Sequence, residues 1–350
     1  MSEEQLILPI IDSHIHLFRT SDVPNLNWAD KEHALAQADH HVNQYKEAAK
    51  SAPSLLGFVH VETDVTYDLA AGAADGSGWE QPLAEVRRIS RLALGKPDEA
   101  QGDDFAAEDG KLCMGIVPWA PMPSGAEALE RYVDAVREAA GEAWPKVRGF
   151  RYLVQDKPHG TMLEDKFIES LKLLGRKGLV FEVGVDHHRR GKKQLDELLA
   201  MIDQAHDGVP EEERVTFIIN HLLKPDLSIL NIHSDPNFNA WRTTIYTLGK
   251  CSRTYMKLSG AFSEMPDSLR ITTAPHLFEA TLAWLGIILA TFGSSRIMFG
   301  SDWPICEVGV GPGAFAKWRE VVDKMCWMAS LGDEDRAMIF GGTAKLAYGL

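Results

Sequence analysis

The fold is decided by the stretch Leu6 to His16, LILPIIDSHIH, in which an apolar run passes directly into alternating polar residues. A short run this rich in isoleucine and leucine is typical of a buried strand, so Leu6 to Ile11 is the predicted first strand. Asp12, His14 and His16 follow at a spacing of two, which puts their side chains on one face of an extended chain. The predicted strand therefore carries two imidazoles and a carboxylate at its carboxyl end.

Seven further apolar or β-branched runs follow, and stretches with helical periodicity separate them. The predicted strands are Leu55 to Val61, Leu112 to Trp119, Val147 to Val154, Leu179 to Val185, Val215 to Ile219, Thr254 to Leu258 and Ile297 to Phe299. The predicted helices are Asp30 to Ser51, Gln81 to Leu94, Ala126 to Ala140, Asp165 to Arg176, Gln194 to Ala205, Trp241 to Leu248, His276 to Phe292, Ala314 to Met328 and Asp333 to Ala347. Eight consecutive units of this kind favour a closed barrel over an open sheet. We therefore predict an α/β fold, a single (β/α)8 TIM barrel over residues 1–350 with extended βα loops.

Composition and charge favour a protein that acts on a small molecule. With 45% hydrophobic and 25% charged residues, the chain can bury a sizeable core. Its formal charge of −14 repels nucleic-acid backbones and anionic membranes, so we expect neither as a partner. The acidic start, Met1 to Gln5, lacks targeting features, and the cytoplasm is the expected compartment. The sequence leaves a homo-oligomer open, because the apolar helix His276 to Phe292 suits a second copy of the chain as well as the barrel.

The candidate catalytic groups come from three predicted strands. In a (β/α)8 barrel the reactive side chains lie at the carboxyl ends of the strands, where eight chain segments surround one opening. The first strand supplies His14 and His16, the sixth ends at His221, and the eighth runs into Asp302 through IMFGSDWP, residues 297–304. Imidazoles and a carboxylate suit a divalent metal or acid–base catalysis. For the His-x-His spacing alone, the alternative is a pair of strand-end histidines that only bonds the next loop.

Five segments occur in the order that a known family shows. They are Ile11 to His16, Arg148 to Arg151, Asn220 to Pro225, Lys257 to Gly260 and Gly300 to Pro304. Through them nearly the whole chain resembles the amidohydrolase superfamily, and within it the amidohydrolase-related branch similar to sugar-lactone and 2-pyrone-4,6-dicarboxylate lactonases. The resemblance implies a barrel hydrolase that opens a small carboxylated or sugar-type lactone. Three residues depart from the pattern of the branch and make the substrate less transferable: Asn220, Leu223 in place of a glycine, and Thr343 in place of an asparagine.

The resemblance also bears on the cofactor. Many members of the superfamily bind two metals bridged by a lysine or glutamate on strand four, and Arg148 to Val154 contains neither residue. The usual metal histidine of strand five has no clear counterpart, because His187 and His188 follow the predicted end of that strand and suit either ligands or a loop pair. Members of the lactonase branch can work without a metal. We therefore expect no required cofactor or one Zn²⁺, and a bound metal would be held by His14, His16, His221 and Asp302.

Lactone hydrolysis suggests a role for each candidate residue. Water must attack an ester carbonyl, which requires a base and a positive group facing the developing oxyanion. We assign the base to Asp302. The histidines 14, 16 and 221 would orient the water and polarise the carbonyl, directly or through zinc. The resemblance places Arg151 in the pocket, where a guanidinium would hold a substrate carboxylate or hydroxyl. The other candidates for substrate binding are Lys157, Trp303 and Glu62.

Two other functions compete with a lactonase. A zinc-dependent decarboxylase of an aromatic or muconate-type acid would use the same strand-one histidines and strand-eight carboxylate. A non-catalytic small-molecule-binding barrel would keep the fold without the chemistry. The Gly-Ser-Asp-Trp-Pro motif favours hydrolysis over decarboxylation, and the joint presence of all the candidate catalytic groups argues against a binding protein.

Overall fold

Eight parallel strands form the centre of the protein in a computed structural model that describes residues 8–30, 32–229 and 231–350. The strands are β1 (Ile10–Ile15), β2 (Leu55–Val61), β3 (Cys113–Val117), β4 (Gly149–Arg151), β5 (Val180–Val183), β6 (Phe217–Ile219), β7 (Thr254–Leu258) and β8 (Ile297–Phe299). Ladders join β1 to β3 in order and β4 to β8 in order. Parallel bridges join β3 to β4 at Ile116–Val147 and Trp119–Arg151, and β1 to β8 at Ile15–Trp303. The strands thus follow one another around a ring, which is the arrangement of a TIM barrel.

Helices surround this ring. They are α1 (Val42–Ala48), α2 (Leu69–Asp75), α3 (Glu80–Ala93), α4 (Ala126–Ala140), α5 (Asp165–Arg176), α6 (His187–His206), α7 (Pro236–Gly249), α8 (Asp267–Arg270), α9 (Ala274–Phe292), α10 (Ala314–Met328), α11 (Asp333–Ala337) and α12 (Thr343–Tyr348). Their apolar faces recur at helical spacing, as Phe167, Leu171 and Leu174 do on α5, and these side chains are buried. Tyr348 of α12 packs with apolar strand residues such as Val59 and Ile218.

The predicted helix Asp30 to Ser51 is wrong over most of its length. Of the residues in this range that the structure describes, only Val42–Ala48 are α-helical, and Ala34–Gln37 form a short 3-10 turn. The preceding chain instead pairs with itself, because Phe18 and His40 exchange both of their backbone hydrogen bonds. This antiparallel contact closes a long loop after β1, and tertiary pairing there overrides the helical pattern of the sequence.

Other predicted boundaries move as well. β1 extends over the motif to Ile15, whereas Leu6 and Ile7 of the predicted strand lie outside the described residues. α6 begins seven residues earlier than predicted and bends at Gly191. The last predicted helix, Asp333 to Ala347, contains a π-helical turn at Met338–Gly342, where a Cβ on Gly341 would lie 3.0 Å from the carbonyl oxygen of Pro9. That close approach to the chain entering β1 explains the interruption.

α9 is long and apolar enough, by length and composition, to cross a membrane. In the fold it lies between α7 and α10 and buries Trp284, Leu285 and Ile288. A helix packed on a barrel passes the same length and composition test as a membrane span.

Candidate active site

Four side chains converge at the carboxyl ends of β1, β6 and β8. Asp302 Oδ1 lies 3.7 Å from His14 Nε2, 3.6 Å from His16 Nε2 and 3.9 Å from His221 Nε2. His14 Nε2 and His16 Nε2 are 3.1 Å apart. All four residues are buried. The structure therefore brings together the four residues that the sequence predicted, and the roles assigned to them stay predictions.

The seam between β1 and β8 positions three of these groups. The backbone N–H of Asp302 donates to the carbonyl of His14 over 2.9 Å, and that of His16 donates to the carbonyl of Trp303 over 2.8 Å. Asp12 reinforces the seam, since its carboxylate accepts from Ser301 N at 2.8 Å and from the Tyr45 hydroxyl at 3.0 Å. Burial raises the pKa of Asp12 to about 6. Asp12 thus joins strands and is absent from the group that converges on Asp302.

His221 is presented by an unusual backbone segment, residues 221–224, which we call the left-handed turn. His221, Leu222, Leu223 and Lys224 have φ values of 53°, 58°, 65° and 45°. Left-handed backbone costs an ordinary residue about 1–2 kcal/mol, so four in succession require outside support. The Trp241 indole supplies it by donating to the carbonyl of Leu222 over 2.7 Å, and the His188 backbone N–H donates to the carbonyl of Lys224 over 2.9 Å.

Hydrogen positions in the cluster follow from its partners. His16 Nδ1 lies 2.9 Å from the carbonyl oxygen of Val61. Nδ1 therefore carries the ring hydrogen, and Nε2 carries a lone pair. Lys257 Nζ lies 3.0 Å from His14 Nδ1. Because an ammonium only donates, His14 carries its hydrogen on Nε2, beside His16 Nε2. A donor chain therefore runs from Lys257 through His14 to His16.

Burial sets the charges of the cluster. It lowers the pKa of His221 to about 3 and that of His14 well below the usual histidine value. For Asp302, burial raises the pKa, but His221, His16 and Lys224 more than offset it and hold the pKa below its usual value. The imidazoles of His14 and His221 are therefore neutral beside a carboxylate that favours its ionised form, which is the state required of a base that accepts a proton near neutral pH.

The donor set suits one zinc ion. Zinc–ligand bonds of about 2.0–2.2 Å put tetrahedral ligand atoms about 3.3 Å apart. The three distances from Asp302 Oδ1 to the histidine Nε2 atoms and the distance from His14 Nε2 to His16 Nε2 span 3.1–3.9 Å. Ligand atoms of His14, His221 and Asp302 all lie within 4.8 Å of one another. A zinc ion on His14 Nε2 would displace the hydrogen that the Lys257 contact puts there. The residues thus allow Zn²⁺ and also form a consistent hydrogen-bonded cluster.

Beneath the cluster lies a charged pair that the sequence did not predict. Lys257 on β7 donates to Glu182 Oε2 on β5 over 2.8 Å, and the Tyr348 hydroxyl donates to Glu182 Oε1 over 2.5 Å. Both charged residues are fully buried. Burial lowers the pKa of Lys257 to about 8, although Glu182 opposes the shift. The sequence signal for this pair was one charged residue in each of two otherwise apolar strands, Lys257 in Tyr255-Met-Lys-Leu258 and Glu182 in Val180-Phe-Glu-Val183.

The predicted substrate-binding residues take different positions. Arg151 lines the central cavity, but Glu62 binds its guanidinium, with Arg151 Nε 2.6 Å from Glu62 Oε1. Glu62 itself is not part of the cavity lining. Trp303 is buried with its ring 5.6 Å from those of His40 and Tyr45, and Lys157 Nζ lies 5.5 Å from the Tyr67 ring centre. Within the described residues, Arg151 is thus the one member of this predicted set that borders the cavity.

The two histidines after β5 begin a helix instead of a loop. Asp186 caps α6 by accepting from the Arg189 backbone N–H over 2.8 Å, so His187 and His188 occupy its first turn. His188 Nδ1 lies 2.9 Å from Glu264 Oε2, and neither ring of His187 or His188 lines the cavity. The structure therefore provides no strand-five histidine for the cluster.

A cavity of about 180 Å³ opens above His16, His221 and Asp302. Trp28, from the long loop after β1, forms part of its wall, and its indole is fixed by a 2.7 Å hydrogen bond to the carbonyl of Thr63. Asp64, Gln155 and Lys224 also border the cavity. Sites for drug-sized ligands start at about 300 Å³, so this one suits a smaller molecule. Trp28 carried no signal that would single it out in the sequence, and Lys224 was expected to anchor its loop and was not among the predicted substrate-binding residues.

Comparison with known proteins agrees with this architecture. The amidohydrolase family model matches residues 11–350. An L-rhamnono-gamma-lactonase from Scheffersomyces stipitis is 31% identical over 97% of the chain and 98% of that protein. An L-fucono-1,5-lactonase from Burkholderia ambifaria is 28% identical over 67% of the chain and 69% of that protein. A crystal structure of an amidohydrolase from Burkholderia multivorans with bound zinc shares the fold, with a TM-score of 0.68, 22% identity, and coverage of 98% of this chain and 99% of that one.

Proposed function

This chain belongs to the amidohydrolase family, and from that premise we propose that it opens a small sugar-type lactone by attack of a water molecule that Asp302 activates. Lactone hydrolysis is the activity named for the relatives matched over most of their length. The observation that carries the proposal is the position of the Asp302 carboxylate, whose Oδ1 lies within 3.6–3.9 Å of three imidazole Nε2 atoms at the floor of the cavity.

The attacking water is held by Asp302. Because the Nε2–H of His14 already occupies the lone pair of His16 Nε2, the water donates its hydrogen bond to Asp302 Oδ1, which borders the cavity. Its oxygen lone pair then faces the substrate. As the oxygen bonds to the carbonyl carbon, Asp302 accepts the proton, and it returns this proton to the ring oxygen when the ring C–O bond breaks.

His221 polarises the carbonyl in this scheme. Its Nδ1 lies 2.9 Å from Ser259 Oγ, and when that hydroxyl donates, the imidazole carries its hydrogen on Nε2. The Nε2–H then donates to the lactone carbonyl oxygen. If a Zn²⁺ is held by His14, His16, His221 and Asp302, it supplies a Lewis acid and lowers the pKa of water.

The cavity wall suits a sugar ring. Trp28 offers an apolar indole face of the kind that packs against the C–H groups of a sugar, and its hydrogen bond to Thr63 fixes the ring in place. Asp64 and Gln155 offer acceptors and a donor for hydroxyl groups. Because Arg151 is paired with Glu62, a substrate without its own carboxylate fits better than a dicarboxylate.

We also propose that the enzyme acts in the cytoplasm on small molecules, without a nucleic-acid or membrane partner. The charge of −14 and the unpaired state of the four cysteines support this view.

The deciding experiment combines a lactone panel with the Asp302→Asn variant. Wild type should hydrolyse a sugar lactone, whereas the amide accepts no proton and should reduce kcat by about 10³-fold or more with an unchanged melting curve. Assays with and without chelator, together with metal analysis, determine whether Zn²⁺ is required. Near-normal turnover by Asp302→Asn contradicts the assignment of the base. Release of carbon dioxide from aromatic acids, without lactone hydrolysis, would favour the decarboxylase.

A further inference from the structure

Among the described residues, the cavity is bordered by two cationic side chains, Arg151 and Lys224, of which Arg151 is held in an ion pair. Arg151 donates through Nε to Glu62 Oε1 over 2.6 Å and through Nη2 to the Glu62 carbonyl over 2.5 Å. For Lys224, by contrast, no carboxylate of the described residues lies within the 4.0 Å of an ion pair. Lys224 thus brings to the cavity a positive charge that no ion pair of the described residues holds, and this charge also helps to lower the pKa of Asp302.

The left-handed turn fixes where this charge lies. Lys224 is the last residue of the turn, three positions after His221, and both side chains reach the same cavity. The His188 backbone N–H binds the carbonyl of Lys224, and the His188 imidazole binds Glu264 over 2.9 Å. Arg189 also contacts Glu264, at 3.0 Å. The backbone of Lys224 is therefore anchored to α6 and to the segment after β7, which restricts the region that its side chain can sample.

The reaction proposed above creates negative charge where none existed before. A sugar lactone is neutral, whereas addition of water moves the carbonyl π electrons onto oxygen, and ring opening leaves a carboxylate. A cation that meets this oxygen therefore stabilises the transition state and product more than the substrate. His221, a neutral donor, cannot balance a full charge.

We infer that Lys224 is a further catalytic residue, which donates from Nζ to the carbonyl oxygen of the lactone as that oxygen becomes negative, and then holds the product carboxylate. The inference rests on the proposed lactone hydrolysis. In the balanced step, the water oxygen bonds to the carbonyl carbon, Asp302 takes the water proton, and the carbonyl oxygen gains the charge that faces Lys224. Collapse of this intermediate breaks the ring C–O bond and transfers the proton from Asp302 to the ring oxygen.

The test compares Lys224→Met, Lys224→Arg and a control, Lys250→Met, which changes an exposed lysine after α7. With L-rhamnono-gamma-lactone as substrate, Lys224→Met should lower kcat by about 10²–10³-fold, as removal of an oxyanion donor does. KM should change less than threefold because the substrate is neutral. Lys224→Arg should recover at least a tenth of the wild-type kcat, and the control should match wild type.

Calorimetry with the product L-rhamnonate provides a readout independent of turnover. Lys224→Met should bind it at least tenfold more weakly than wild type, and Lys224→Arg should bind it nearly as well as wild type. A kcat of Lys224→Met within threefold of wild type overturns the inference, whatever the binding result. If wild type hydrolyses no lactone, the proposed function fails, and the catalytic role of Lys224 fails with it. Melting curves identify a misfolded Met variant, in which case the Arg variant and Lys224→Gln decide on the same criteria.

Discussion

Lys257 shows how a buried charge can orient a catalytic group. Its ammonium contacts His14 Nδ1 at 3.0 Å and Glu182 Oε2 at 2.8 Å, with no exposure to solvent. The ammonium determines which nitrogen of His14 carries hydrogen, and Glu182 compensates its charge. A buried pair of this kind contributes little net stability, but losing one partner leaves the other charge uncompensated.

We therefore predict that Lys257→Met lowers the free energy of unfolding by about 3–5 kcal/mol, because Glu182 is left with the Tyr348 hydroxyl as its remaining hydrogen-bond donor. The double variant Lys257→Met/Glu182→Gln should recover most of this loss, since the amide is neutral and still accepts from Tyr348. Urea denaturation of the wild type, both single variants and the double variant measures the coupling. A double variant no more stable than Lys257→Met would contradict this account.

Sequence reasoning at the residue scale identified the groups that lie in motifs. His14, His16, His221 and Asp302 could be found because strand ends in a barrel meet at one opening. Lys257 could not be assigned to a partner, because its neighbour Glu182 lies 75 residues away on a strand that is not adjacent to β7 in the sheet. Pairing across a barrel interior depends on strand register, which one sequence does not define.

At the scale of elements, the left-handed turn carries two residues of the site, His221 and Lys224. The chain has Leu223 where the resembling branch has glycine, and Leu223 is nonetheless left-handed and fully buried. Neither Leu222 nor Leu223 indicates such a backbone, so the turn was beyond sequence reasoning. The prediction of a helix over Asp30 to Ser51 was wrong for a similar reason, because the backbone pairing of Phe18 with His40 determines the conformation of this loop. The βα alternation itself was predictable, because each strand and helix buries its own apolar pattern.

Gly260 packs closely against the imidazole of His221, the first residue of the left-handed turn. Gly260 has φ of 62°, and a Cβ built there would collide with the imidazole of His221. We predict that Gly260→Ala displaces His221 and reduces kcat at least tenfold, while it destabilises the fold by more than the roughly 1–2 kcal/mol of a left-handed alanine alone. The measurements are steady-state kinetics and urea denaturation.

Gly178, which follows α5, provides the matched control. Its φ is 67°, and a Cβ there would meet nothing within 4 Å. Gly178→Ala should therefore show the backbone cost alone, about 1–2 kcal/mol, with kcat within twofold of wild type. If both alanine variants kept normal kcat, close packing of Gly260 against His221 would not be what positions the imidazole.

At the scale of the whole molecule, the fold buries ionisable groups on the surrounding helices as well as inside the barrel. Glu85 of α3 is buried beside the end of β2, where its Oε1 accepts from the Thr63 backbone N–H over 3.0 Å and from the Thr63 hydroxyl over 2.7 Å. Burial is the main reason why the pKa of Glu85 rises to about 8. The charge of Glu62 adds to this shift, whereas Arg88 opposes it. His60 faces the same carboxyl at 3.7 Å, and burial holds the pKa of that imidazole well below its usual value.

This raised pKa predicts how the stability of the fold depends on pH. Glu85 ionises near 4.5 when exposed and near 8 when folded, so its contribution to stability is complete below about pH 4.5 and is lost as the pH rises through 8. Each pKa unit corresponds to about 1.4 kcal/mol, which makes the loss a few kcal/mol.

In Glu85→Gln the amide oxygen still accepts from Thr63, and the side chain carries no charge at any pH. The free energy of unfolding of this variant should therefore fall less than that of wild type between pH 5 and pH 9, as measured by urea denaturation. Glu80→Gln, an exposed change on the same helix, should follow wild type; parallel curves for wild type and Glu85→Gln would show that Glu85 is already ionised in the fold at neutral pH.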